Sequence, residues 1–279
     1  MAKIHLVTDS ALDVPAALLE KHKIGLVPAF INFGLESIPD DGKAITIEEF
    51  FRRMETASPL PTTSAPPPGV AEEVLRAAIA GADRVLAIHV SGKLSSLIEA
   101  VRIAAQSVDP ERITVYDTES VSMGGGWQTI TAAEMAADGA DIAAITAALD
   151  ALKPRLKLWA APTTLDYLRR SGRVNAMVAS LGEMLQIKPM ITVRDGEIVL
   201  QGRVRTFKKV FTELERLCRE FAPIQRLAVL HMNAPENGEK MYEILKDIAP
   251  VDDETLFVNA SAAIGVHFGP GGLALATVR

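Results

Sequence analysis

Apolar positions along the first half of the chain fall into two rhythms. Short β-branched runs at Lys3–Thr8, Gly25–Phe33, Arg84–Val90 and Arg112–Asp117 read as strands. Ala- and Leu-rich stretches between them read as helices, and two carry start signals. Thr46 is followed three residues later by Glu49, a capping-box pattern ahead of Phe50 and Phe51. Asp13 precedes Pro15, the order of an N-cap and a proline tolerated in the first helical turn. Strand then helix, repeated, predicts parallel strands joined by crossover helices.

The rhythm changes after Pro154. Residues 157–161 and 188–202 read as strands, the second folded at Asp195-Gly196, a hairpin signal. Helices are expected over Asn175–Gln186, Thr206–Phe221 and Pro235–Ile248, and strands over Arg226–His231 and Thr255–Asn259. A hairpin inside an α/β pattern implies a mixed sheet. The pattern therefore predicts two domains. Residues 1–153 form a parallel-sheet α/β/α domain, residues 154–279 an α/β domain with a mixed sheet, and ligand sits in the cleft between them.

Composition narrows the class. The chain has 279 residues, 48% hydrophobic, and a formal charge of −6, which argues against a nucleic-acid partner. Its single cysteine, Cys218, has no internal disulfide partner, as in a reducing cytosol. The opening MAKIHLVTDS enters a strand at once and lacks the regions of a signal peptide. The longest apolar candidate, Ala176 to Val193, is interrupted by Glu183, Gln186, Lys188 and Pro189, too polar for a membrane span. The expectation is a cytoplasmic protein. The histidines at 5, 22, 89, 231 and 267 show no metal-ligand spacing. Charge is uneven: from Lys153 to Lys209, 12 Lys/Arg stand against 4 Asp/Glu. That stretch is either a solvated basic face or a docking surface for an acidic or phosphate-bearing partner.

Three polar segments interrupt the apolar scaffold. Pro61-Thr62-Thr63-Ser64-Ala65-Pro66 sets three hydroxyls between prolines, a stiff presenting loop or a plain linker. Val90-Ser91-Gly92-Lys93-Leu94-Ser95-Ser96 follows a strand and precedes a helix, where free amides and serine hydroxyls make an anion site or simply cap the helix. It lacks the Gly-Lys-Ser/Thr ending of a phosphate loop, so a carboxylate suits it better. Ile264 to Gly272 is read as a glycine-rich loop carrying His267 between apolar neighbours, as a ligand contact or a structural residue.

Taken in order, these segments resemble the DegV family, the fatty-acid-binding subunits of bacterial fatty acid kinase. The likeness runs through Val7-Thr8-Asp9-Ser10, Thr62-Thr63-Ser64, Ser91 to Ser96 and Asp117 to Gly124. It continues through Leu165 to Arg173, Ile187-Lys188-Pro189, Arg203 to Lys209, and Gly265-Val266-His267 with Gly269-Pro270-Gly271. The resemblance implies a two-domain α/β protein without catalysis of its own or a cofactor. It would hold one long-chain fatty acid in a tunnel and present the carboxylate to a separate ATP-binding kinase subunit. Thr63 and Ser95 match the hydroxyls that bond the carboxylate, and His267 matches the histidine that completes the site. Ser64, Ser91, Gly92 and Ser96 belong to the same two blocks. Arg170, Arg173 and Arg205 are implied near an outer face, where they would dock the kinase or steady phosphate. Two positions depart from the family: Ser95-Ser96-Leu97 replaces its usual Ser-Gly-Thr, leaving Ser95 and Ser96 both open as the contact, and Phe268 stands where a smaller or polar residue is common. Met177, Met184 and Met190 would be adaptable packing for a tail, or ordinary core.

Two rival functions are kept beside this one. A serine hydrolase acting on lipid esters would want a G-x-S-x-G elbow, and the chain has none. A fatty-acid sensor without a kinase has the same site and lacks the partner.

Overall fold

The computed structural model describes residues 2–174, 187–251 and 254–279. The helix expected over Asn175–Gln186 lies outside the described residues, as do Met177 and Met184.

Among the described residues, two large sheets, a small third one and three helical layers build the fold. In the first half, β1 (Ile4–Asp9), β2 (Gly25–Val27), β6 (Arg84–His89) and β7 (Ile113–Asp117) form a parallel sheet in the order β2-β1-β6-β7. Its interior strands are nearly continuous apolar runs, as a sheet covered on both faces requires; Val85 to His89 are all buried. Helices α3 (Pro68–Ala80) and α4 (Leu97–Val108) cover one face, and α5 (Met123–Ala137), followed by α6 (Ile142–Leu152), covers the other. The expected long strand from Gly25 breaks at Pro28, which cannot donate to a ladder. Its second part, β3 (Phe30–Phe33), instead pairs antiparallel with β4 (Glu36–Pro39) and β5 (Thr62–Ser64) in a small third sheet.

The second half forms a six-stranded mixed sheet in the order β10-β9-β8-β13-β11-β12, from β8 (Leu156–Ala161), β9 (Lys188–Arg194), β10 (Glu197–Val204), β11 (Arg226–His231), β12 (Thr255–Asn259) and β13 (Leu273–Val278). Only β11 and β12 run parallel; the other neighbours are antiparallel. The hairpin turns at Asp195 and Gly196, both with positive φ (51° and 79°), the backbone that its Asp-Gly signal demands. Amphipathic α8 (Phe207–Phe221), capped by Thr206, and α9 (Pro235–Leu245) close its outer face.

Helix α5 packs against β1 and β6 on one side and against β8 and β13 on the other, so one layer of helix serves both sheets. A single apolar core runs across it, joining Leu6, Val85 and Leu86 of the first sheet to Leu158, Ile191 and Ala276 of the second. A smaller core around Trp159, Met190, Leu214 and Phe221 lies beneath α8 and α9. Met190 thus packs away from the inner face.

Two capping expectations resolve differently. Thr46 accepts the Glu49 amide at 3.2 Å and starts α2 (Ile47–Thr56), while the Glu49 carboxylate turns to Arg52 rather than back to the cap. Asp13 caps nothing at α1 (Ala16–Lys21), where Pro15 holds the cap position. It adopts a positive φ of 52° and turns inward, because buried donors compete for its carboxylate.

Candidate ligand-binding site

An apolar cavity opens where the carboxyl ends of β1 and β6 face the inner surface of the six-stranded sheet. That is where open parallel sheets leave room for ligands. Val90, Leu97, Leu158, Ile191, Ile198 and Phe268 give it hydrocarbon walls, and a few polar groups gather among them.

Thr63 reaches the cavity from β5, whose pairing with β3 sets Thr63 opposite Ile31. The segment read as a proline-stiffened loop is therefore a short strand, held by a ladder as well as by its prolines. Ser64 lines the cavity too, and its Oγ accepts from Asn32 Nδ2 at 3.2 Å. Ser95 and Ser96 both line it from the turn before α4. Ser95 Oγ accepts the Leu97 amide at 3.2 Å, so its own proton stays available to an acceptor in the cavity.

Ser91 and Gly92 have other duties. Ser91 is buried, and its hydroxyl donates to the Gly196 carbonyl at 2.8 Å, pinning the β9–β10 hairpin tip to this loop. A Cβ on Gly196 would come within 2.6 Å of Ser91 Oγ, so only glycine permits the contact. The Gly92 amide donates to Asp117 Oδ2 at 3.1 Å. Neither residue lines the cavity; both hold the loop that presents Ser95.

His267 lies in the last turn of α10 (Ala262–Phe268), a helix where the glycines suggested a loop. Gly265 is there for packing: a Cβ would sit 2.7 Å from the Phe50 ring of α2. Nε2 of His267 is 2.9 Å from Thr63 Oγ1, which joins the first and third polar segments. Its Nδ1 is buried without a partner among the described residues. Burial, aided by the nearby Arg173 guanidinium, lowers the His267 pKa to about 4, so the imidazole is neutral at physiological pH.

The three arginines separate. Arg173 is half-buried, follows α7 (Asp166–Ser171), and lines the cavity beside His267, its guanidinium donating to the Ser171 and Leu94 carbonyls. Arg170 is exposed and lines a second, outer cavity that shares Thr63, Arg173 and His267 with the first. Arg205 is exposed just past β10 and lines neither.

Two carboxylates outside the candidate site residues position this helix. Asp13 accepts the Ser261 amide at 2.9 Å and the Ser122 hydroxyl, and Asp40 accepts the Ala263 amide at 3.0 Å. Ser261 caps α10 with its own hydroxyl. Both acids are buried, and burial raises both pKa values, that of Asp13 to about 7. In the sequence Asp13 stands alone among apolar neighbours and Asp40 precedes Asp41 and Gly42, and neither context names a partner.

A family model described as an uncharacterised protein family, DegV, matches residues 3–279. The chain belongs to the DegV family. A DegV domain-containing protein of Streptomyces coelicolor is 31% identical over 96% of this chain and 95% of its own length. A DegV family protein from Thermus thermophilus, described for its fatty acid binding, is 33% identical, covers 99% of both chains and superposes with a TM-score of 0.89. A stearic acid-binding protein from Eubacterium ventriosum, 25% identical, covers 100% of this chain and 98% of its own at a TM-score of 0.90. The two-sheet α/β architecture described above is thus the DegV fold. No helix among the described residues is long and apolar enough to cross a membrane.

Proposed function

We propose that this DegV protein binds one long-chain fatty acid, its carboxylate at Thr63, Ser95 and His267 and its tail along the apolar walls. The observation that carries the reading is the convergence of a free hydroxyl donor, a hydroxyl–imidazole pair and a half-buried guanidinium on one apolar cavity. Burying a methylene contributes about 0.8 kcal/mol, so a chain of some fourteen offers on the order of 11 kcal/mol before the costs of binding. An unpaired buried carboxylate would cancel several kcal/mol of that. Hydroxyl and imidazole donors offset it at roughly 1–3 kcal/mol each. The neutral His267 serves as an N–H donor or as the acceptor that orients the Thr63 proton, and Arg173 supplies the positive charge.

The carboxylate end would face the outer cavity through the shared walls of Thr63, Arg173 and His267, with Arg170 on the rim. That placement suits a carrier that offers its carboxylate to a separate kinase for acyl-phosphate formation, in the cytoplasm. A hydrolase is the poorer fit. The hydroxyl–imidazole pair has no carboxylate on His267 Nδ1, and Ser95 contacts no base among the described residues. The ligand cleft between a domain of residues 1–153 and one of 154–279 remains part of this proposal.

Native mass spectrometry of protein purified without added lipid tests the reading. A mass increment equal to a long-chain fatty acid is expected. Lipid-free protein that also fails to bind added oleate would sink it.

A further inference from the structure

The six-stranded sheet has one short seam. β8 and β9 pair at Trp159↔Thr192 and Ala160↔Ile191. By contrast β9 meets β10 at seven registered positions and β8 meets β13 at six. The β8–β9 ladder stops where Leu158 would face Val193, and a cavity of about 520 Å³ occupies the gap. Its walls come from both faces of the sheet: Leu156 and Leu158 belong to the shared inner core, Trp159 and Phe221 to the core under α8. The gap is therefore a slot through the sheet.

The apolar ligand cavity shares Leu158, Thr192 and Val193 with this slot, and Thr63, Arg173 and His267 with the outer cavity at the carboxylate site. The slot and the outer cavity share none of the described residues. The ligand cavity thus has two polar ends. At the far one, Gln128 of α5 lines the slot while only 1% exposed. Its Nε2 donates to the Thr118 and Gly124 carbonyls at 3.0 and 3.2 Å, which fixes the orientation of the amide. Its Oε1 is buried and has no partner among the described residues. An amide oxygen only accepts, so it wants a donor. Among the described residues, charges around the slot are balanced, Lys153, Lys157 and Arg194 against Glu119, Asp195 and Glu220, which favours a neutral group over a second carboxylate.

We propose that the slot receives a hydroxyl carried on the distal half of the acyl chain, so that this protein takes hydroxylated long-chain fatty acids, with Gln128 Oε1 accepting the O–H. Thr192, which lines both cavities, is the second polar group within reach of such a chain. The inference rests on the fatty-acid reading above. It adds a substrate class that the carboxylate site alone cannot select.

The test compares stearate with a set of hydroxystearates whose hydroxyl moves stepwise along the distal half, each titrated into the full-length protein. In a wholly apolar tunnel an unpartnered hydroxyl would weaken binding about tenfold or more. At least one isomer is expected to bind as tightly as stearate or tighter. Gln128→Leu should lower the hydroxystearate-to-stearate affinity ratio for that isomer by about tenfold. Because the Gln128 amide also ties two carbonyls, Thr192→Val serves as the shape-conserving companion, with a smaller fall in the same ratio. If every isomer binds about tenfold more weakly than stearate, or if the preferred isomer keeps its ratio in both variants, the slot does not read a hydroxyl and the inference is overturned. Stearate binding would then leave the fatty-acid reading standing. If stearate and all the hydroxystearates fail alike, that reading falls and takes this one with it.

Discussion

The two ends of α10 treat ionisable groups in opposite ways. At its N-terminus Asp13 and Asp40 are buried against backbone amides, where the helix dipole favours a negative charge. Burial nevertheless outweighs those bonds and raises both pKa values. At its C-terminus His267 sits where the dipole favours a positive charge, yet burial and Arg173 keep it neutral. At both ends desolvation beats the dipole. The difference lies in purpose: the acid end has its protein donors already in place, whereas the histidine end keeps one buried nitrogen without a partner among the described residues. One end anchors the helix and the other is left ready to contact something else.

The largest expected effect separates the two ends by pH. Asp13 has a native pKa raised from 3.8 to about 7, so between those values the folded protein binds more protons than the unfolded chain. Its contribution to stability is full below the unfolded value and is lost as pH rises through about 7. His267 runs the other way: its folded pKa is depressed to about 4, so its contribution is present above the unfolded value near 6.5 and is lost as pH falls through about 4. Asp13→Asn copies the neutral acid and should remove the first dependence only. In urea unfolding from about pH 4 to pH 7, the variant's stability relative to wild type should rise by on the order of 4 kcal/mol. A constant difference across that range would mean that Asp13 ionises normally.

Removing the anchor should come next in size. Asp40→Ala leaves the Ala263 amide buried without its acceptor, a cost of about 1–3 kcal/mol in thermal or urea unfolding. Because α10 carries His267, oleate binding should weaken as well. A variant that loses stability yet binds oleate like wild type would disconnect the anchor from the site.

Much of this frame was legible from pattern alone. Periodicity placed β11 and β12 at their observed bounds, and Asp195-Gly196 marked the hairpin. What stayed hidden was hidden for physical reasons. Glycines at 265, 269, 271 and 272 resemble a loop, but Gly265 is the close contact of a helix with Phe50. β13 is Leu273–Val278, six buried residues in a row, and such a run has no alternation to announce a strand. At the site, hydroxyls adjacent in sequence proved unequal. Ser91 and Ser95 stand four residues apart in one loop, yet Ser91 braces a hairpin that arrives more than a hundred residues later. Asp13 looked like a helix cap because its true partners, Ser122 and Ser261, are distant along the chain.

Thr63→Val and Ser95→Ala test the end left ready for contact. Each should weaken oleate binding by about 1–3 kcal/mol with little change in thermal unfolding, since each removes a donor and keeps the local shape. His267→Ala should do the same. Wild-type affinity should be nearly flat between about pH 6 and 8, because the empty site's histidine is already neutral there. Affinity that fades steadily with rising pH would identify an imidazolium as the donor, with the bound carboxylate drawing the proton in.

The smallest effect concerns the arginines, which the family resemblance grouped and the fold divides. Arg173 is half-buried beside His267, so Arg173→Gln should weaken oleate binding and let the His267 pKa rise, with burial alone still holding it below its ordinary value. Arg170 is exposed on the outer rim, where a charge acts mainly on encounter rate. Arg170→Glu should therefore leave oleate affinity alone and slow acyl-phosphate production by a cognate kinase several-fold at low salt. The deficit should shrink as the Debye length falls from about 30 Å at 0.01 M to about 8 Å at physiological ionic strength. Arg205, which lines neither cavity, provides the control: Arg205→Glu should leave oleate affinity at the wild-type value, and its effect on turnover reports how far a kinase footprint extends along β10. Turnover equal to wild type in Arg170→Glu and Arg205→Glu at both salts would return the basic stretch to a solvated face. A loss of oleate affinity in Arg170→Glu as large as that in Arg173→Gln would move Arg170 from the rim into the carboxylate site, because a charge fully in solvent at that distance is screened too well to matter to a buried carboxylate.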